Sequence, residues 1–316
     1  MKHIQHRNDG IAGILFLLLA ISIFAAGCSD FLDEDEYFND ADMDTAVELA
    51  CDTPEDCADW GDELANQLIS KYGSFTLWDE YTEDEYEAWF DEDESALEEE
   101  QIIAEYELDG DMLIPYDSDD VEAVHEQLWH EFAAIIPANQ RESITVFAVF
   151  EHEDTMAYVQ QNEDDIETWT LALNIGEIDG TMSRNEAINT KIHELGHILT
   201  LNADQVDAYA EEQDCSTYYV DEGCAYEGSY IYEFYKQFGE ASEADFGEEN
   251  YVNDYAATNT MEDIAESWAY FVLSERPEGY TAAEQKVLFF ERFDELVMLR
   301  AELLARVTSW LESDIE

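Results

Sequence analysis

Ser183-Arg-Asn-Glu186-Ala-Ile188-Asn-Thr-Lys-Ile192-His193-Glu194-Leu195-Gly196-His197-Ile-Leu199-Thr-Leu201 is the stretch that decides the architecture of this chain. Ser183 followed three residues later by Glu186 forms a capping box, and Ile188, Ile192, Leu195 and Leu199 recur at helical spacing. The stretch therefore predicts an amphipathic helix over about 184–201. No proline interrupts it, and Gly196 offers a point where a partner element can approach closely. His193 and His197 stand four apart, one above the other on a face beside the apolar stripe.

Two imidazoles one turn apart can reach a single ion, with Glu194 beside any water that ion holds. In a chain of 316 residues with 7 His and 79 acidic residues the five-residue pattern could arise by chance. The capped, amphipathic setting is what sets it apart. A catalytic zinc takes three protein ligands and keeps one position open, so a third ligand is required. The metzincin continuation needs Gly at 200 and His at 203, where the chain has Thr200 and Ala203, and no histidine follows His197. The third ligand is then a carboxylate.

Glu262 is the favoured one, in Tyr255-Ala-Ala-Thr-Asn-Thr260-Met-Glu262-Asp263-Ile264-Ala-Glu266. Thr260 with Asp263 gives a second capping signature, and Ile264, Trp268, Phe271 and Val272 a core stripe, predicting a helix over about 261–274. Glu262 and Glu266 lie one turn apart on its other side. One carboxylate is offered to the metal and the other can hold a ligand histidine in its tautomer. The plain alternative for this pair is a solvated acidic face. Asp204 and Asp207 are the competing third ligands.

With those residues in place, the chain resembles the gluzincins, zinc peptidases with HExxH and a downstream glutamate ligand on a second helix. Tyr-Ala-x-Thr-Asn-x-x-Glu-Asp-x-Ala-Glu (255–266) looks like the catalytic domain of the lethal-factor type and like bacterial zinc-metallopeptidase lipoproteins. Cys215-Ser-Thr-Tyr through Glu222-Gly-Cys224, Ser229 to Tyr235 and Ala283 to Phe290 also look like those lipoproteins, so the likeness spans about 140–310. Thr260-Met261 departs from it, since such sequences often carry Asn-Pro-x-Glu there. The resemblance implies a zincin-like fold with Glu262 as third zinc ligand, Tyr255 supplying a phenol to the oxyanion, and Glu266 supporting a histidine.

Residues 144–150, 156–161 and 169–175 read as strands, the last closed by Gly176. The expected class is α+β: a small mixed sheet, the histidine-bearing helix, then a mainly helical C-terminal subdomain. Trp169–Asn174 is the candidate edge strand for taking an extended peptide, although its pattern also suits an inner strand. A helix is expected over 119–136, with His125 and His130 on different faces. These two and His152 are taken as surface or packing residues. Thr281 and Glu284 open a helix expected to run to about 311. Residues 46–118 are expected to form an acidic, mainly helical segment, with patterns around 58–68 and 82–99, ahead of a catalytic domain over 119–316.

Lys2 and Arg7 precede an apolar run from Ile11 to Ala26, short for a membrane span, so 1–27 reads as a secretory signal peptide. Ala25-Ala-Gly-Cys28 resembles the bacterial lipobox, which makes Cys28 the expected lipidation site and 28–45 an acidic tether. The remaining cysteines are even in number in an exported chain, which favours disulfides, with the local pairs Cys51–Cys57 and Cys215–Cys224 preferred. Lys plus Arg total 12 against 79 acids, for a net charge of −67. Such a surface excludes nucleic acid and anionic lipid as partners, and molar salt would screen its self-repulsion within about 3 Å, which points to a halophilic source.

The sequence therefore leads to an exported, membrane-anchored zinc metallopeptidase acting on a peptide or protein substrate, with Glu194 as general base and Tyr255 assisting. The alternative is an inactive lipoprotein of the same fold that binds a partner. Retention of Glu194 favours the enzyme, because a structural metal needs ligands and no base. Substrate identity and oligomeric state do not follow from the sequence.

Overall fold

The computed structural model describes residues 47–313 except 48, 77–100, 117–119, 154, 163–164, 181, 243–246 and 248. The expected signal peptide, Cys28, the tether over 28–45 and the helical pattern at 82–99 lie outside the described residues.

The class is α+β, built on a mixed five-stranded sheet of order β2-β1-β3-β5-β4. Its strands are β1 (Gln101–Asp109), β2 (Met112–Pro115), β3 (Ile144–Glu151), β4 (Ala157–Gln161) and β5 (Trp169–Asn174). Only β3 and β5 run parallel; the other neighbours are antiparallel. Helix α2 (Ala123–Ile135) packs Trp129 and Phe132 into the core, where Phe147 of β3 meets the Trp129 ring.

Two expectations are corrected here. Residues 101–115, placed in a mainly helical segment, form the β1–β2 hairpin, which turns at Gly110 with φ 64° and joins the sheet through β3. The edge strands are β2 and β4, and Trp169–Asn174 is an inner strand: β5 lies between β3 and β4 and is buried at all six positions. A strand covered on both faces carries an unbroken apolar run, and Trp-Thr-Leu-Ala-Leu fits that better than the alternation of a half-exposed edge.

After the sheet come α3 (Arg184–Leu201), a small sheet of order β6-β8-β7 (Val206–Asp207, Gly223–Ala225, Tyr219–Val220), and α4 (Tyr230–Phe238). Then follow α5 (Thr260–Leu273), α6 (Ala282–Val287) and α7 (Asp294–Ser313). The capping box Thr281/Glu284 is present, but the expected single helix to about 311 is broken by a 3-10 stretch, Leu288–Arg292. Phe289 and Phe290 are both fully buried there, against Phe234 and Trp268.

The expected pattern at 58–68 belongs to α1 (Pro54–Tyr72), which docks on α7 through Asp62 and Arg300 at 2.6 Å. His125 is buried with Nδ1 2.6 Å from the Tyr106 hydroxyl, and His152 Nδ1 accepts the Thr155 amide, so both pack as expected. Both disulfides are the local pairs, Cys51–Cys57 and Cys215–Cys224, which suit an oxidising compartment. No helix among the described residues is long and apolar enough to cross a membrane.

Candidate metal centre

Helix α3 runs over the residues its sequence indicated, with the reciprocal Ser183–Glu186 cap present and Ile188, Ile192 and Leu195 fully buried. Turning those residues inward sets His193 and His197 on the flank that faces α5. The helices meet at Gly196, where an added Cβ would lie 3.0 Å from Trp268 Cδ1 and 3.1 Å from Ala265 Cα. Gly196→Val is therefore expected to push α3 off α5, cost about 1–3 kcal/mol by overpacking and weaken metal binding. Thermal unfolding with and without metal checks this; an unchanged midpoint and metal affinity would refute it.

Helix α5 starts one residue earlier than expected, and its cap is Asn259, whose side chain accepts the Glu262 amide. Thr260, expected to cap, is inside the helix and its hydroxyl accepts the Ala241 amide instead. Both side chains can cap, and the backbone turns from extended to helical at Asn259. Asp263 is buried 2.6 Å from Lys286 of α6, whose ammonium lies 3.7 Å from the centre of the Tyr251 ring. Burial pushes the Asp263 carboxyl up to about 7 against the pull of Lys286. The first turn of α5, which carries Glu262, is thus tied down at its cap and from the side.

Across this contact His193 Nε2 and His197 Nε2 are 3.0 Å apart, and each is 3.2 Å from Glu262 Oε2. These three residues form the only group of His, Cys, Asp or Glu among the described residues whose donor atoms converge enough to share a metal ion. Asp204 and Asp207 are not in it. Glu266 Oε1 makes a close but bent contact with His193 Nδ1 at 2.8 Å, and Glu266 Oε2 accepts from Asn253 Nδ2, also at 2.8 Å. Asn253 is in turn fixed by the Ala256 amide.

Electrostatically the cluster calls for a cation. Burial of His193 opposes its charged form, but Glu266, Glu262 and Glu194 outweigh it and hold its pKa well above the histidine value. Burial would raise Glu262, yet both histidines hold that carboxyl far below the usual range. Its Oε2 is buried 3.2 Å from each histidine nitrogen, without a hydrogen bond of good geometry.

No family model, curated protein or solved structure matches this chain.

Glu194 lies outside the donor group but against it, nearly fully buried, with Oε2 unpartnered. Burial raises its pKa, moderated by His193 and His197. Tyr255 is half-exposed as a residue, but its ring centre is 5.9 Å from that of His193 and its hydroxyl interacts with Glu262. Burial of that hydroxyl and the surrounding carboxylates keep the phenol protonated. His193, Glu194, His197, Tyr255, Glu262 and Glu266 are thus brought together, while Cys51–Cys57 sits at the α1–α7 contact, packed with Ala301.

Asn253 and Glu222 also belong to this neighbourhood and were not singled out from the sequence. Asn253 stands two residues before Tyr255, close enough for its role to be sought. Glu222 has no such local signal, because only the folding of residues 202–225 brings it near.

Proposed function

We propose that this protein is a zinc-dependent metallopeptidase of the gluzincin kind, with a zincin-like fold. The observation that carries the proposal is the convergence of His193 Nε2, His197 Nε2 and Glu262 Oε2 beside the unpartnered carboxylate of Glu194. Four ligands about 2.0–2.2 Å from a tetrahedral zinc are about 3.3 Å apart, and these donors stand 3.0–3.2 Å apart. Two nitrogens and one carboxylate oxygen are a usual catalytic zinc set, and no fourth ligand joins them among the described residues.

Zinc bound there would supply a Lewis acid that acidifies water towards a pKa of about 7 and polarises a carbonyl. Glu194 Oε2 is placed to take the proton of an attacking water and return it to the departing amine nitrogen. Tyr255, kept protonated, donates from its hydroxyl to the carbonyl oxygen as that oxygen gains charge. Glu266, anchored by Asn253, holds His193 in the tautomer whose Nε2 lone pair faces the donor group. Edge strand β4, which lies alongside α3, offers unpaired backbone to an extended peptide. The lipobox-like Cys28 supports attachment of the exported protein to a membrane, and its charge of −67 supports a salt-rich setting.

The test is metal content together with cleavage of an unstructured protein in molar salt. One zinc per chain and chelator-sensitive cleavage are expected. Zinc binding with no cleavage across a broad peptide library would instead support a binding protein of the same fold.

A further inference from the structure

Glu222 occupies the two-residue turn between β7 and β8, which pair Val220 with Gly223. The turn is rigidly held. Gly223 has φ 140°, and a Cβ there would lie 2.4 Å from Asp207 O, so the hairpin stacks on β6 as only glycine permits. Cys224 is bonded to Cys215, and Gln161 Nε2, at the end of edge strand β4, donates to Glu222 O at 3.5 Å. Glu222 thus stands where edge strand β4 meets the hairpin. It couples to His197 and Glu262, but lies outside the group of donors able to share their ion.

Glu222 Oε2 is buried with no hydrogen-bond partner. Four other buried or half-buried acids have basic partners: Glu177 has Lys191, Asp263 has Lys286, Asp62 has Arg300 and Asp111 has Arg141; outside the metal centre, where Glu194 is likewise without one, Glu222 stands apart from them. Every remaining lysine and arginine among the described residues is engaged in an ion pair or ring contact elsewhere. The described chain has no lysine or arginine left for Glu222. A carboxylate oxygen buried without a donor is costly, and a ligand from outside can supply the missing one.

We propose that Glu222 receives a cationic group of the substrate close to the scissile bond, either the α-ammonium of a peptide N-terminus or the side chain of Lys or Arg. This rests on the hydrolase reading of the metal centre. Both sources offer the same chemistry, an N–H donor carrying positive charge against a fixed carboxylate. Burial raises the Glu222 carboxyl, as expected for a group whose counter-charge arrives with a ligand.

The test reads binding, so that its outcome does not depend on cleavage. Zinc-loaded protein carrying Glu194→Gln is titrated calorimetrically with one peptide series. The peptides have a free or acetylated N-terminus, and Lys or norleucine at each position in turn. The cationic members are expected to bind about tenfold tighter or better, and Glu222→Gln should erase that difference while zinc content stays unchanged. Asp221→Asn, exposed and one residue away, should leave it intact. Sensitivity to acetylation would assign the α-ammonium, and sensitivity to Lys replacement the side chain. Absence of a cation preference, or its survival in Glu222→Gln, would overturn the proposal. Failure of the parent to cleave would count against the hydrolase reading alone.

Discussion

Glu194→Gln is expected to retain its metal and lose hydrolysis, with kcat/KM falling by about 10²–10⁴-fold, the usual contribution of a general base. The separation follows from the positions of the atoms. Glu194 is not among the three converging donors, so glutamine removes no ligand. The side chain is nearly fully buried and its Oε2 makes no hydrogen bond, so an isosteric amide preserves packing and breaks no existing contact. What disappears is the ability to accept a proton. Replacing the charge also removes the cost of burying it, which outweighs its attraction to His193 and His197, so folding stability should be unchanged or slightly raised. Single-turnover cleavage of a fluorogenic peptide, with metal content measured on the same sample, checks the prediction. Activity within about tenfold of the parent would assign the proton transfer to another group.

The centre was legible because its determinants are local. A capping box, an apolar stripe and two histidines four apart all lie within the 18 residues of α3 and its cap Ser183, and they fix its start and its facing. Glu262 was legible at one remove, through a second stripe and cap some sixty residues on. The cap itself slipped by one residue because Asn259 and Thr260 are adjacent and either can hold a helix start. The β1–β2 hairpin carried a signal that acidity concealed. Asp109-Gly110 between short apolar runs is a turn signature, but the charged residues around it resemble a solvated helix. The place of β5 inside the sheet was not readable, since a six-residue apolar run is compatible with several pairings. Glu222 was beyond reach for a different reason: its meaning lies in lacking a partner, and partnership is a property of the folded chain.

Glu262→Ala is expected to release the metal, lowering affinity by more than about hundredfold and abolishing activity with it. Loss of an outer-shell partner such as Glu266 typically costs 10–100-fold, and loss of a direct ligand should exceed that. The fold should survive. The Asn259 cap uses the backbone amide of residue 262, Asp263 keeps Lys286, and α3 still meets α5 at Gly196. Alanine gives up a favourable charge in the first turn, worth about 0.3–1 kcal/mol at a helix start, and the contacts of the carboxylate with His193, His197 and Tyr255. Two imidazoles would remain with Nε2 atoms 3.0 Å apart and no converging carboxylate, since no other described acid belongs to the group. Competition with a chromophoric chelator reads the affinity, and far-UV circular dichroism confirms that the helices persist. Glu266→Gln provides the scale, because it leaves all three donors in place while weakening the contact to His193 Nδ1. Metal held by Glu262→Ala at parental affinity would remove Glu262 from the ligand set and return the choice to Asp204 or Asp207. Either would then have to move towards His197 from outside the present donor group.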